Sequence, residues 1–149
     1  MKFDYIKVSP DDEAFIALVD ELNQTLKVIT SDSGESSFKK EAFCDSTDGA
    51  LLILLDQKPV ACGVFRHHAP EVCEMKRMFS KQPGAGRFLI TQLEKYAFSL
   101  GYRRAVLSTR RVNQSAVDFY IRQGYLEVEA YGKYRYTDQS ICLGKLLCK

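Results

Sequence analysis

Three side chains and one loop in this sequence are of types that do chemistry, and each also has a plainer reading. The loop is "SKQPGAGRFL", where Gly84 and Gly86 stand just before an apolar-striped segment. A glycine-rich turn from strand into helix leaves the first-turn amides free, aims the helix dipole at them and lets an anion approach closely. The same glycines could do no more than turn the chain. The Gly-Lys-Ser/Thr ending of a Walker loop is missing, as are the third glycine and later acidic residue of a dinucleotide fingerprint. Glu74 stands among Val72, Met75 and Met78. Such surroundings are expected to raise a carboxylate toward neutrality, the range of a general base, unless Lys76 or Arg77 pairs with it. Tyr120 lies on the apolar face of a helical pattern, where a tyrosine is ordinarily core, and Asn113 opens that pattern as a cap.

Other reactive types carry less. His67 and His68 end a strand beside Pro70 with no third ligand spaced for zinc, so no metal site is expected. Five cysteines, Cys44, Cys62, Cys73, Cys142 and Cys148, are odd in number and form no CxxC pair. Reduced thiols in a cytoplasmic protein are the expectation. Cys73 neighbours Glu74 and could carry an acyl group, but alternation turns it to the opposite face and into the core.

The elements that must hold these residues follow from periodicity. Lys2–Val8 alternates as a strand, and Asp11 is expected to cap a helix over Asp12–Val28 with Phe15, Leu18, Val19, Leu22 and Leu26 on one face. Thr30–Ser37 reads as a polar loop before a short helix over Phe38–Cys44. "GALLILLD" is a buried strand, Gln57-Lys58 a tight turn, and "PVACGVFRHH" the returning strand. "EVCEMKRMFS" is a third, with Val72, Glu74, Lys76 and Met78 on one side and Cys73, Met75, Arg77 and Phe79 on the other. A helix follows Gly86 and ends at Gly101, "RRAVLST" is a strand, and a helix from Asn113 stops at Gly124. "YLEVEAY" and "SICLGKLL" close the chain as strands. The order predicts one mixed α/β domain over residues 1–149, with a central, mostly antiparallel sheet that turns into a βαβ unit flanked by helices.

Composition narrows the class. The 149 residues are 46% hydrophobic and 27% charged, a globular profile with enough chain to bury a core. A net charge of +2 gives no case for nucleic acid, and the basic pairs Arg103-Arg104 and Arg110-Arg111 have no interleaved aromatic platform. The start carries acidic residues where a signal peptide needs an apolar stretch, and the longest apolar run, Ala50–Leu55, is too short for a bilayer. Neither a nucleic acid nor a membrane is expected as partner.

The stretch from about Ala50 to Leu147 resembles the GNAT superfamily of acyl-CoA-dependent N-acyltransferases. "KQPGAG" stands where that family has Q/R-x-x-G-x-G/A, and "NQSAVDFYIRQGY" where it has an Asn-opened helix with Ala, Tyr and a closing Gly-Phe/Tyr. "EMKRMF" and "TDQSICLGKLL" are similar to segments of a subgroup of small bacterial members. Two departures stand out: Lys81 replaces the usual Gln or Arg, and the loop between Phe79 and Gly84 is a few residues shorter than the family's.

The resemblance implies a GNAT-like fold, acetyl-CoA as acyl donor without a metal, and a small-molecule or peptide amine as acceptor. It implies cofactor contacts from Met78, Phe79, Ser80, Lys81, Gln82, Gly84, Ala85, Gly86, Arg87, Phe88, Asn113, Ala116 and Tyr120. The amides of Gly84, Ala85, Gly86 and Arg87 would hold the pyrophosphate, and backbone from Met78 to Ser80 would pair with the pantetheine arm. Tyr120 would serve as acid to the departing thiolate and Glu74 as base to the amine, directly or through water. The alternative is a non-catalytic acyl-CoA-binding module of the same fold. The closing strands offer an edge for a homodimer.

Overall fold

The computed structural model describes residues 2–33 and 38–148. Strands form where β-branched and other apolar residues alternate or run together between turn residues. Strand β1 (Phe3–Val8) leads into helix α1 (Glu13–Thr30), and β2 (Gly49–Leu55), β3 (Lys58–Ala69) and β4 (Val72–Ser80) follow as a meander. Helix α2 (Ala85–Ser99) crosses to β5 (Arg104–Arg110), and α3 (Gln114–Arg122), β6 (Leu126–Glu127) and β7 (Ser140–Leu146) complete the order. The seven strands lie in the order β1-β2-β3-β4-β5-β7-β6. Only β4 and β5 pair parallel, across the α2 crossover. This is the mixed, mostly antiparallel sheet that the sequence predicts, with helices on both faces.

Each face has its own core. Leu89, Leu93 and Ala97 of α2 and Val117 and Tyr120 of α3 pack with Ile53, Phe65 and Met75 on one side. Phe15 and Leu18 of α1 meet Leu52, Cys62 and Val64 on the other. Burying each such leucine contributes about 1.5–3 kcal/mol before entropy is subtracted.

Several local expectations need correction. Asp12, not Asp11, caps α1: its Oδ1 accepts from the Phe15 N–H at 3.0 Å, and the helix runs on to Thr30. The helix expected over Phe38–Cys44 is a single 3-10 turn, Lys40–Ala42. Part of the loop expected over Thr30–Ser37, residues 34–37, lies outside the described residues. The β2–β3 turn is Asp56-Gln57, both at positive φ (51° and 70°), the mirror-image turn that suits strand twist, so Lys58 already belongs to β3. Of "YLEVEAY" only Leu126–Glu127 pairs, and a 3-10 turn, Gly132–Tyr136, precedes β7.

The largest departure is in β4. Arg77 sits at φ 53°, and the register slips there: Lys76 faces Val64 while Phe79 faces Cys62. One extra residue makes a β-bulge, and a bulge reverses alternation beyond it. Met78 therefore packs with the α2-side core and Phe79 with the α1-side core. The expectation that Glu74 and Met78 share a face fails for this reason. Gly63 faces the bulge, where a Cβ would lie 2.5 Å from Met78 Sδ. Among the described residues no helix is long and apolar enough to cross a membrane.

Candidate active site

The sheet opens where the predicted residues gather. β4 pairs with β5 only through Val72–Glu74 against Arg104–Val106. Beyond Glu74 the two strands diverge, β5 continues against β7, and the edge of β4 from Met75 to Ser80 is left without a β5 partner. A cavity of about 400 Å³ occupies the fork, bounded by Met75–Met78 on one side and Leu107–Arg110 on the other. Of the expected site residues, Met78, Asn113, Ala116 and Tyr120 line it, joined by Lys76 and Tyr134. Glu74 and the run from Phe79 to Phe88 do not.

That run forms the neighbouring α2 start. Gly84 is its N-cap at φ 85°, a conformation that side chains rarely adopt, and no side chain caps the helix. The Ala85 amide is not free as expected: it donates to the Gln82 carbonyl at 3.0 Å. Gly86 and Arg87 amides have no acceptor among the described residues, so two first-turn donors remain for an anion. A Cβ on Gly86 would lie 3.4 Å from the Phe119 ring and 3.5 Å from Ser80 Cβ, so the glycine opens the place where β4, α2 and α3 converge. Ser80 Oγ donates to the Gln82 carbonyl, Lys81 pairs with Glu21 at 3.0 Å, and the Phe88 ring packs on Phe3 and Tyr5.

Glu74 has a different environment from the one its neighbours in sequence suggest. Its side chain is 2% exposed. Arg66 holds Oε1 at 2.9–3.0 Å, while the Tyr131 hydroxyl (2.7 Å) and Lys76 Nζ (3.2 Å) hold Oε2. Burial pushes this carboxyl up, but Lys76, Tyr131 and Arg66 together outweigh it and leave the pKa below the ordinary value. The expected rise toward neutrality is thus reversed. Lys76 was one foreseen partner, whereas Arg77 turns to the Ser33 carbonyl and Asn23. Arg66 and Tyr131 were not foreseen. Pairing the β3–β4 hairpin in register would have found Arg66, which faces Glu74 directly.

Tyr120 is 9% exposed, its ring against Phe119 and Tyr125, and burial raises its pKa. Its hydroxyl bonds to no described residue, no buried side-chain polar atom among the described residues is sealed without a partner, and Tyr120 lines the cavity. Asn113 holds the N-cap position of α3 without the cap bond: its Oδ1 accepts from Ser115 Oγ at 3.3 Å. Cys73 is fully buried on the α2 side, away from Glu74 as alternation predicts, and burial raises its thiol to about 12. The His68 and Tyr131 rings meet edge to face, with centroids 4.7 Å apart. Tyr131 and Tyr134 were missed, and they stand in a segment dense in tyrosine and base, "YGKYRY".

Comparison with solved structures finds the same fold. A Klebsiella pneumoniae protein described as an acyl-CoA N-acyltransferase superposes with TM-score 0.83 at 24% identity, covering 98% of each chain. The PaiA N-acetyltransferase of Thermoplasma acidophilum, solved with coenzyme A, gives 0.76 at 19% identity over 98% of this chain and 99% of that one. An acetyltransferase from Streptococcus agalactiae gives 0.72 at 16% identity over 97% and 98%. A comparison with curated protein sequences returns no match. The acetyltransferase (GNAT) family profile matches residues 15–125, which include the fork, the α2 start and most of the cavity wall. The chain belongs to the acetyltransferase (GNAT) family, whose reaction is acyl-CoA-dependent acyl transfer.

Proposed function

We propose that the chain transfers the acetyl group of acetyl-CoA to a primary amine of a small molecule or peptide, by direct attack in a ternary complex. The observation that carries this reading is the forked sheet, whose cavity collects Met78 from β4 and Asn113, Ala116 and Tyr120 from α3 and its N-cap. The unpaired edge of β4 suits the peptide-like arm of the donor, which extends a sheet by backbone hydrogen bonds. The Gly86 and Arg87 amides suit its pyrophosphate, with the Arg87 side chain adding charge and Lys81 available once its exposed pair with Glu21 exchanges. Asn113 keeps its amide nitrogen for the same arm.

Tyr120 acts on the sulfur. With its pKa raised by burial it stays protonated across neutral pH and donates a hydrogen bond to the departing thiolate. Glu74 is poorly suited as the base, since all its close partners favour the carboxylate and it does not line the cavity. Water in the open cavity removes the ammonium proton in this reading. Direct attack, rather than an acyl-enzyme, is supported by Cys73, whose buried thiol is held far from ionisation.

The test is titration of CoA together with free-thiol release from acetyl-CoA over amino acids, polyamines, aminoglycosides and peptides. CoA binding with amine-dependent thiol release is the expected result. Binding without release by any amine would move the chain to the non-catalytic, acyl-CoA-binding reading.

A further inference from the structure

One wall of the cavity is the 3-10 turn Gly132–Tyr136, which presents Lys133 and Tyr134. The turn is fastened to the sheet at the apex of the fork. The Tyr131 hydroxyl donates to Glu74 Oε2 at 2.7 Å, and Lys76 Nζ bridges the same oxygen (3.2 Å) and the Tyr134 hydroxyl (3.0 Å). Arg66 occupies the other carboxylate oxygen, and the Tyr131 and Tyr134 rings meet edge to face at 5.5 Å. Glu74 is the common anchor of this network.

The direction of the Lys76 bond matters. The ammonium can only donate, so the Tyr134 oxygen accepts, and the tyrosine's own proton goes to no described residue. A hydroxyl that already accepts from a cation is polarised into a stronger donor. Tyr134 lines the cavity together with Lys76 and Lys133, whose ammonium groups are donors. The ligand group that fits such a wall is an oxygen with lone pairs.

We propose that Tyr134 is a specificity-determining residue: its hydroxyl donates to an oxygen that the acceptor carries beside its reacting amine. Glu74, Lys76 and Tyr131 are positioning residues that hold that hydroxyl in place. The inference rests on the acyl-transfer reading above, and it predicts acceptors of the amino-acid or amino-amide kind over bare alkyl amines.

The experiment uses matched pairs, L-leucinamide with isoamylamine and L-phenylalaninamide with phenethylamine, with thiol release followed at saturating acetyl-CoA. Wild type should favour the oxygen-bearing member of each pair. Tyr134→Phe keeps the ring contacts and should leave the KM for acetyl-CoA unchanged, with the melting temperature lowered only by the acceptor that Lys76 loses. It should raise the KM of the oxygen-bearing member about five- to tenfold, the loss of one hydrogen bond, with no change for the bare amine. Tyr131→Phe should act in the same direction more weakly and speed amide exchange in residues 132–136, a readout that needs no acyl transfer. Glu74→Gln should leave the pH–rate profile in place, because the carboxylate positions rather than titrates.

Equal use of both members by wild type, equal damage to both by Tyr134→Phe, or a shifted profile in Glu74→Gln would each overturn the proposal. CoA binding with acetylation of other amines but of no amide would overturn it while sparing the acyl-transfer reading. Loss of CoA binding together with all thiol release would take both down.

Discussion

The closed and open ends of the β4–β5 fork lie only a few residues apart and follow different rules. At the closed end, Val72–Glu74 pairs in register with β5, and the Glu74 carboxylate is answered within the protein by Arg66, Lys76 and Tyr131. At the open end the strand bulges at Arg77 and the β4 edge has no strand partner on the β5 side. There the Tyr120 hydroxyl and the Gly86 and Arg87 amides lack described partners. Satisfied groups hold a fold together, whereas unsatisfied ones at an opening are kept for a ligand. Substitutions at the closed end should therefore register as stability and those at the open end as binding or turnover.

The largest expected effect is at the closed end. Glu74→Ala leaves Lys76, itself 8% exposed, without its carboxylate and should cost about 3 kcal/mol in denaturant unfolding. Because the folded pKa of Glu74 is lowered, the stabilisation is complete above the ordinary value of 4.5. It is lost as pH falls below that value and through the folded pKa. An acid titration of Glu74→Gln should lack this part of the wild-type decline. A variant as stable as wild type would erase the contrast between the two ends.

Tyr120→Phe comes next and should divide the opposite way. Turnover should fall roughly 10²-fold while CoA affinity and melting temperature hold, as expected for a lost donor to the leaving thiolate. Unchanged turnover would return Tyr120 to the core. Gly86→Val lies in a helical conformation, so backbone strain is not its problem. Its branched side chain would meet Phe119 and Ser80 and fill the convergence, weakening CoA by about 1–3 kcal/mol in calorimetric titration. A lowered melting temperature with unaltered affinity would mean that the glycine serves packing alone. The smallest effect is Glu21→Gln, which releases Lys81 from an exposed pair worth well under 1 kcal/mol. CoA should bind about twofold more tightly at low salt, with the gain fading as salt rises. Weaker binding would place Lys81 outside the phosphate site.

How legible each end was in the sequence follows the same division. Strand and helix periodicity placed every major element, and alternation put Cys73 in the core correctly, because the closed end is regular pairing. It failed at Met78, since nothing in "KRMF" announces that Arg77 takes a left-handed turn of backbone; Gly63 opposite was the one available sign. Glu74 was misjudged because, besides Lys76, it draws on Arg66 across the β3–β4 pair and on the Tyr131 hydroxyl, neither of which its neighbours in sequence reveal. The motif around Gly84 pointed to an anion site, yet it could not show that Gln82 takes the Ala85 amide for a local turn. Tyr131 and Tyr134 became meaningful only when folding brought the first to Glu74 and the second over Lys76.

The central claim is that the donor lies in the fork, along the open edge of β4, with its phosphates at the start of α2. Backbone NMR of the labelled protein titrated with CoA tests it directly. The largest shifts are expected at Gly86 and Arg87, at Met78–Ser80 and along α3 from Asn113 to Tyr120, with β1, β6 and the apex at Val72–Glu74 nearly still. Shifts centred instead on the second cavity, between α1 and Phe38–Glu41, or no shift at the α2 start, would contradict it.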